Sequence, residues 1–121
     1  DEGIIVDRRA GRIREGTKEL SSSLCGLKID DVSLYVGSGT EHRVALVIRG
    51  SGLGDCLSGS DPGDNFLSGK KPRHPEVLKK NDKKSLRTAK YLHLFELAAR
   101  KILALHPVNL ERKSKRLLPA N

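Results

Sequence analysis

Four arginines fall within seven residues, Arg8, Arg9, Arg12 and Arg14, in the run Asp7-Arg8-Arg9-Ala10-Gly11-Arg12-Ile13-Arg14. A guanidinium group is a planar fork of donors that matches the oxygens of a carboxylate or a phosphate two at a time. A solvated charge run usually mixes Lys with Glu, whereas this one carries Arg as its only base and follows an apolar stretch, Ile4-Ile5-Val6, directly. The pattern therefore points to an anion site rather than to plain surface charge. His42 and Arg43 form a second candidate pair, and Arg49 and Asp61 are weaker ones. Arg43 and Arg49 share a strand face in an extended run but sit roughly 20 Å apart at the usual rise, too far for one small substrate to touch both.

Several patterns come near a chemical motif and stop short. Gly11 to Lys18 approaches a phosphate-binding loop, but the Lys and the Thr stand in the reverse order. Asp61 and Asp64 flank Pro62 and Gly63, which is ordinary turn chemistry. His74, His93 and His106 show no metal-ligand spacing, and Cys25 and Cys56 lie outside any paired-cysteine motif, so no metal is assigned and both thiols are expected reduced. No nucleophile and base constellation is legible.

The elements that must position these groups read as follows. Residues 3–6 suit a short strand leading into the arginine turn. Thr17 is a possible N-cap for a helix over about 17–25, with Leu20, Leu24 and Leu27 on one stripe and Gly26 as the stop. Residues 32–36 alternate as a half-buried strand, Gly37 to Thr40 form a hairpin loop, and 42–49 is apolar on both faces and is expected to be the central strand. Residues 50–75 are rich in Gly, Ser, Asp and Pro and predict a long loop, a length that usually marks function. A helix over about 82–105 carries the stripe Leu86, Ala89, Leu92, Phe95, Ala99, Ile102 and Leu103, and a short helical turn is expected around 109–116.

Length bounds the rest. At 121 residues the chain supports one core, and with 36% apolar residues, two Tyr, two Phe and no Trp, that core must rest on Leu, Ile and Val. The expected fold is α+β, a small mixed or antiparallel sheet packed by two main helices. With no Met anywhere, the sequence is expected to be a segment of something longer. No apolar run reaches the ~20 residues that span a bilayer. The excess of 23 Lys and Arg over 15 Asp and Glu, a formal +8, favours anions of every kind.

Five segments together resemble the archaeal-type cofactor-independent phosphoglycerate mutases. They are Val6 to Ile13, Glu41 to Gly50, Ser60-Asp61-Pro62, His106-Pro107-Val108-Asn109 and Leu118-Pro119-Ala120-Asn121. The resemblance implies one domain, 1–121, inserted into a larger α/β metalloenzyme of the alkaline-phosphatase superfamily whose catalytic domain is absent from this sequence. It implies that the missing domain holds two divalent ions, Mn, Mg or Zn, and a serine phosphorylated in turn. It further implies a cytoplasmic glycolytic isomerase, with the insert's Arg8, Arg9, Arg12, His42 and Arg43, and more weakly Arg49 and Asp61, gripping 2- and 3-phosphoglycerate. The segment alone is then expected to be catalytically silent. Two rivals are a basic nucleic-acid-binding module, opposed by an aromatic content of 3% that leaves few stacking platforms, and a protein-interaction module.

Overall fold

Val32, Leu34 and Val36 alternate with Ser33 and Tyr35, and this period-two pattern places one buried row at the centre of the molecule, with Val32 and Leu34 fully buried. The computed structural model describes residues 4–61 and 69–121. Its elements are α1 (Thr17–Leu24), β1 (Leu27–Ile29), β2 (Val32–Ser38), β3 (Val44–Arg49), α2 (Lys83–Ala104) and α3 (Pro107–Ser114). The three strands form one antiparallel sheet in the order β1-β2-β3, with Leu27 opposite Leu34 and Leu34 opposite Ile48. The α+β expectation holds.

The central strand is β2, not the segment 42–49. β3 starts only at Val44, lies on the sheet edge and leaves Val44 and Val47 58% and 48% exposed. Its two apolar faces were mistaken for two packed faces, and an edge strand can carry the same residues. β1 is an element the sequence reading missed, because Leu27 happened to continue the helical spacing of Leu20 and Leu24. Gly26, at φ 83°, breaks the helix and lets Leu27 enter the sheet. The expected strand at the start reduces, within the described residues, to a single bridge between Ile5 and Lys70.

Thr17 does not cap α1. The N-cap is Gly16, at φ 82°, with no side-chain hydrogen bond, and a Cβ there would lie 2.5 Å from Val108 Cγ1. Close approach of α3 excludes a side chain at Gly16, so the cap's missing hydrogen bond is the cost of that packing.

Helix α2 forms as expected, with Asp82 as N-cap accepting from the Lys84 and Ser85 N–H groups. Its buried residues are Ser85, Thr88 and Tyr91, while Leu86 of the expected stripe is 55% exposed. The reason is a backbone segment from the long loop laid against the helix. Thr88 Oγ1 accepts from the Gly54 N–H at 2.9 Å and donates to the Gly54 carbonyl at 2.7 Å, and Ser85 Oγ accepts from the Cys56 N–H at 3.1 Å. Small hydroxyl residues serve where backbone must be satisfied at close range. A Cβ on Gly54 would sit 2.6 Å from Ser85 Oγ and 2.7 Å from its N. Gly54→Ala is expected to destabilise the chain by about 1–3 kcal/mol through overpacking, read as a lower urea midpoint; an unchanged midpoint would discount this seam.

Acid sensitivity concentrates at the same helix. Hydrogen bonds from the Ser85 N–H and hydroxyl hold the Asp82 carboxyl below its ordinary range. At Asp31 burial pushes upward, but hydrogen bonds from its own backbone, Arg87 and Tyr91 prevail and the carboxyl again lies low. Depressed carboxyls contribute stability that is complete above their ordinary range and lost as pH falls through and below it. Stability should therefore decline on acidification across that window, and Asp82→Ala should flatten the decline; an identical acid limb in the variant counts against the assignment.

Candidate anion-binding site

The arginine turn is built on two apolar anchors and a carboxylate. Ala10 and Ile13 are 7% and 2% exposed and share a core cluster with Leu20, against which Leu103, Val108 and Ala120 pack. Asp7 Oδ1 accepts from the Arg9 N–H at 2.6 Å, and the Ile13 N–H donates to the Arg9 carbonyl at 2.9 Å. Three consecutive residues, Ala10, Gly11 and Arg12, take left-handed φ of 47°, 66° and 60°. Ala and Arg pay about 1–2 kcal/mol each in that region, a strain that persists only where surroundings enforce it and that clusters at functional sites. Arg112 supplies part of the enforcement, donating to the Ala10 carbonyl at 2.7 Å and to the Leu118 carbonyl at 2.9 Å.

With its anchors inward, the turn sends Arg8, Arg9, Arg12 and Arg14 to the surface. Arg8 meets Asp61 at 2.6 Å, and Arg12 and Arg14 approach Glu41 at 3.3 and 3.7 Å. Such half-exposed pairs contribute at most ~1 kcal/mol, so they orient the guanidinium groups more than they stabilise the fold. Arg9 has no ion pair among the described residues. Glu41, itself left-handed at φ 55°, was missed by sequence reasoning, although an acid beside His42 and Arg43 is the natural counter-ion for a crowded arginine turn.

Arg8, Arg9 and His42 line one cavity of about 350 Å³, whose floor includes Leu20, Leu24, Val36, Phe95 and Leu103 and whose wall includes Pro119 and Asn121. That size is ample for a small metabolite. Its lining is mostly apolar, with Arg8 and Arg9 as its basic groups, so positive charge stands beside a low-dielectric surface, an arrangement suited to an anion. The Nδ1 of His42 is buried and, among the described residues, has no hydrogen-bond partner. His42 lies in the turn before β3 rather than in the strand, and Arg43 is exposed beside it. Arg49 ends β3 with its guanidinium 5.3 Å from the Tyr35 ring centre and does not line the cavity. Of the Asp61 to Asp64 turn, only Asp61 lies within the described residues.

The wall formed by the end of the chain is clipped down by Asn109, a residue sequence reasoning valued only as part of a segment. Its fully buried amide donates to the Leu103 and Ala120 carbonyls at 2.9 and 2.8 Å and accepts from the Ala120 N–H at 2.8 Å.

The family model described as 2,3-bisphosphoglycerate-independent phosphoglycerate mutase matches residues 1–109. The chain belongs to this family. Mutases of that description from Picrophilus torridus and Thermoplasma acidophilum are 43% and 40% identical to it, each over 99% of the chain and 28% of the relative. A solved structure described as the cofactor-independent phosphoglycerate mutase from Thermoplasma acidophilum superposes over all of the chain and 31% of its own length, with a TM-score of 0.87 at 38% identity. The chain thus spans less than a third of the mutases it matches.

The divalent ions that the mutase resemblance implies do not fit this cavity. Asp7 is its one acidic side chain among the described residues, one of its oxygens is engaged by the Arg9 N–H, and two guanidinium groups beside it repel a dication. Cys25 and Cys56 are free thiols, and no described helix is long and apolar enough to cross a membrane.

Proposed function

We propose that this chain is the substrate-side insert domain of a phosphoglycerate mutase that interconverts 3-phosphoglycerate and 2-phosphoglycerate in the cytoplasm, and that its arginine turn grips the substrate anions. The observation that carries the reading is the convergence of Arg8, Arg9 and His42 on one cavity mouth beside a strained, anchored turn. Family membership supports the reaction class.

Phosphoryl transfer between neighbouring hydroxyls asks little covalent chemistry of a binding domain; it asks for positioning and charge stabilisation. Arg9, held by its backbone N–H on Asp7 and with its side chain unpaired among the described residues, takes an anionic oxygen pair directly. Arg8 is aimed by Asp61 at the cavity, and Arg12, paired with Glu41 outside the cavity lining, adds positive charge to the same turn. His42 lines the same cavity and presents its imidazole to a substrate hydroxyl or carboxylate. Arg43, exposed beside His42, and Arg49, over the Tyr35 ring, lie outside the cavity lining, and Asp61 acts by orienting Arg8. Two divalent ions, held by the catalytic domain outside this chain, would neutralise charge on the transferring phosphoryl group.

The nucleic-acid reading has less support. Among the described residues, Tyr91 is buried at 2% exposure, Tyr35 lies under Arg49 and Phe95 is part of the cavity lining, an arrangement with no row of aromatic rings for stacking bases. The test of the proposal is mutase turnover of the full-length enzyme with divalent metal and without bisphosphoglycerate, wild type against Arg8→Ala and Arg9→Ala. Folded variants with undiminished turnover would remove the substrate role from the turn.

A further inference from the structure

The sequence gives His74 and His93 no metal-ligand spacing, and Glu96 shows only as a residue off the apolar stripe of its helix. The fold brings all three together on the outer surface of α2, away from the cavity. We propose that His74, His93 and Glu96 form a Zn2+ site. His93 and Glu96 stand at i and i+3, one turn apart on the same helix face. His74 comes from the segment ahead of the helix, which is tied by the Arg73 N–H to the Ser60 carbonyl at 3.1 Å and by the bridge between Leu57 and Val77.

The two imidazoles meet edge to face, centres 4.9 Å apart at 83°. Both Nδ1 atoms stand 4.0 Å from the same Glu96 oxygen, Oε2. One ligand atom from each residue lies within 4.8 Å of the other two. Around a tetrahedral Zn2+ with bonds of about 2.0–2.1 Å, ligand atoms are about 3.3 Å apart, so closure requires shifts of roughly 1 Å. The three side chains are 72%, 48% and 39% exposed and are free to make them.

Two neutral imidazoles and a carboxylate favour Zn2+ and its borderline neighbours over Mg2+, which prefers oxygen ligands and water. The fourth position is open to water. A formal charge of +8 opposes any dication at long range, so micromolar rather than tighter affinity is expected. Occupancy would pin the 69–77 segment to α2, the helix that also contributes Phe95 to the cavity floor.

The experiment is equilibrium dialysis against ZnCl2, run on the 121-residue chain and on the full-length enzyme, with His74→Ala, His93→Ala and Glu96→Gln. One Zn2+ in the chain is expected to vanish in His93→Ala, and the full-length enzyme should lose one equivalent relative to wild type. Loss of a ligand should weaken binding by at least about 10-fold, and Co2+ in place of Zn2+ should give a visible tetrahedral absorption that the variants lack. Three results would overturn the proposal: no difference in stoichiometry between wild type and His93→Ala, equal binding of Mg2+, or binding removed by Cys25→Ser or Cys56→Ser instead. Because none of the three residues lines the cavity, failure of the site leaves the mutase reading untouched, and the reverse also holds.

Discussion

In the full-length enzyme, Arg9→Ala is expected to lower kcat/KM for phosphoglycerate about 100-fold and to leave the fold intact. The magnitude follows from a charge-assisted, two-pronged contact to an anion in a partly desolvated mouth, where loss of one stabilising donor costs roughly 10²-fold or more. The fold should tolerate the change because Arg9 contributes to the turn through its backbone: its N–H is on Asp7 and its carbonyl accepts from Ile13. The exposed side chain has no ion pair among the described residues to lose.

Arg8→Ala and Arg12→Ala should fall between Arg9→Ala and wild type, since Asp61 and Glu41 already offset part of their charge. Arg49→Ala should hardly alter turnover. This ordering separates a substrate clamp from a general electrostatic effect, in which each lost arginine would cost about the same and added salt would erase the differences. Equal losses at Arg9 and Arg49, or none at Arg9, would sink the clamp.

What the sequence made legible follows the range of the interactions. The helix over 83–104 announced itself by Asp82 and a long apolar period, both local signals. The alternation of Val32, Leu34 and Val36 located β2 for the same reason. Strand order was not legible, because whether 42–49 sits at the centre or the edge depends on what the rest of the chain covers. The short β1 was hidden behind Leu27, which fitted the helical stripe by coincidence of spacing. The polar seam of Ser85 and Thr88 could not be foreseen from periodicity, since its cause is a backbone stretch around Gly54 arriving from some 34 residues away.

At the site, residue type was the readable part and partnership was not. Arg8, Arg9 and Arg12 stand out by composition, and the apolar Ala10 and Ile13 interleaved with the run Arg8 to Arg14 are the overlooked clue that the turn is nailed to the core. Glu41, Arg112 and Asn109 meet the turn and the chain's end only through the fold. Glu41 and Asn109 stand in segments that resemble the mutases, but no local pattern shows what they or Arg112 touch, and His74 and His93 with Glu96 are a further case of the same kind.

Asn109→Ala is expected to destabilise the chain by about 3–4 kcal/mol, the largest stability loss of any single substitution considered. The amide is fully buried and makes three hydrogen bonds, and their pattern fixes its orientation, with two carbonyls facing Nδ2 and one N–H facing Oδ1. Truncation strands both backbone groups of Ala120, while the Leu103 carbonyl keeps the His106 N–H at 3.2 Å, and each unsatisfied buried group costs on the order of 1–3 kcal/mol, less whatever entering water restores. Against a total of about 5–15 kcal/mol for a domain of this kind, that loss is a large fraction. The expected reading is a lower urea midpoint with an unchanged slope. A loss below about 1 kcal/mol would mean that the segment around Ala120 is held by other contacts, chiefly Arg112 on Leu118. Asn109→Asp discriminates further: it retains the acceptor for the Ala120 N–H but turns a carboxylate towards two carbonyl oxygens, so it should be at least as damaging as Ala if hydrogen bonding, rather than volume, is what the residue supplies. Because Pro119, Ala120 and Asn121 form one wall of the cavity, both variants should also weaken substrate binding at Arg9 without touching it, appearing as a raised KM in enzyme that remains folded.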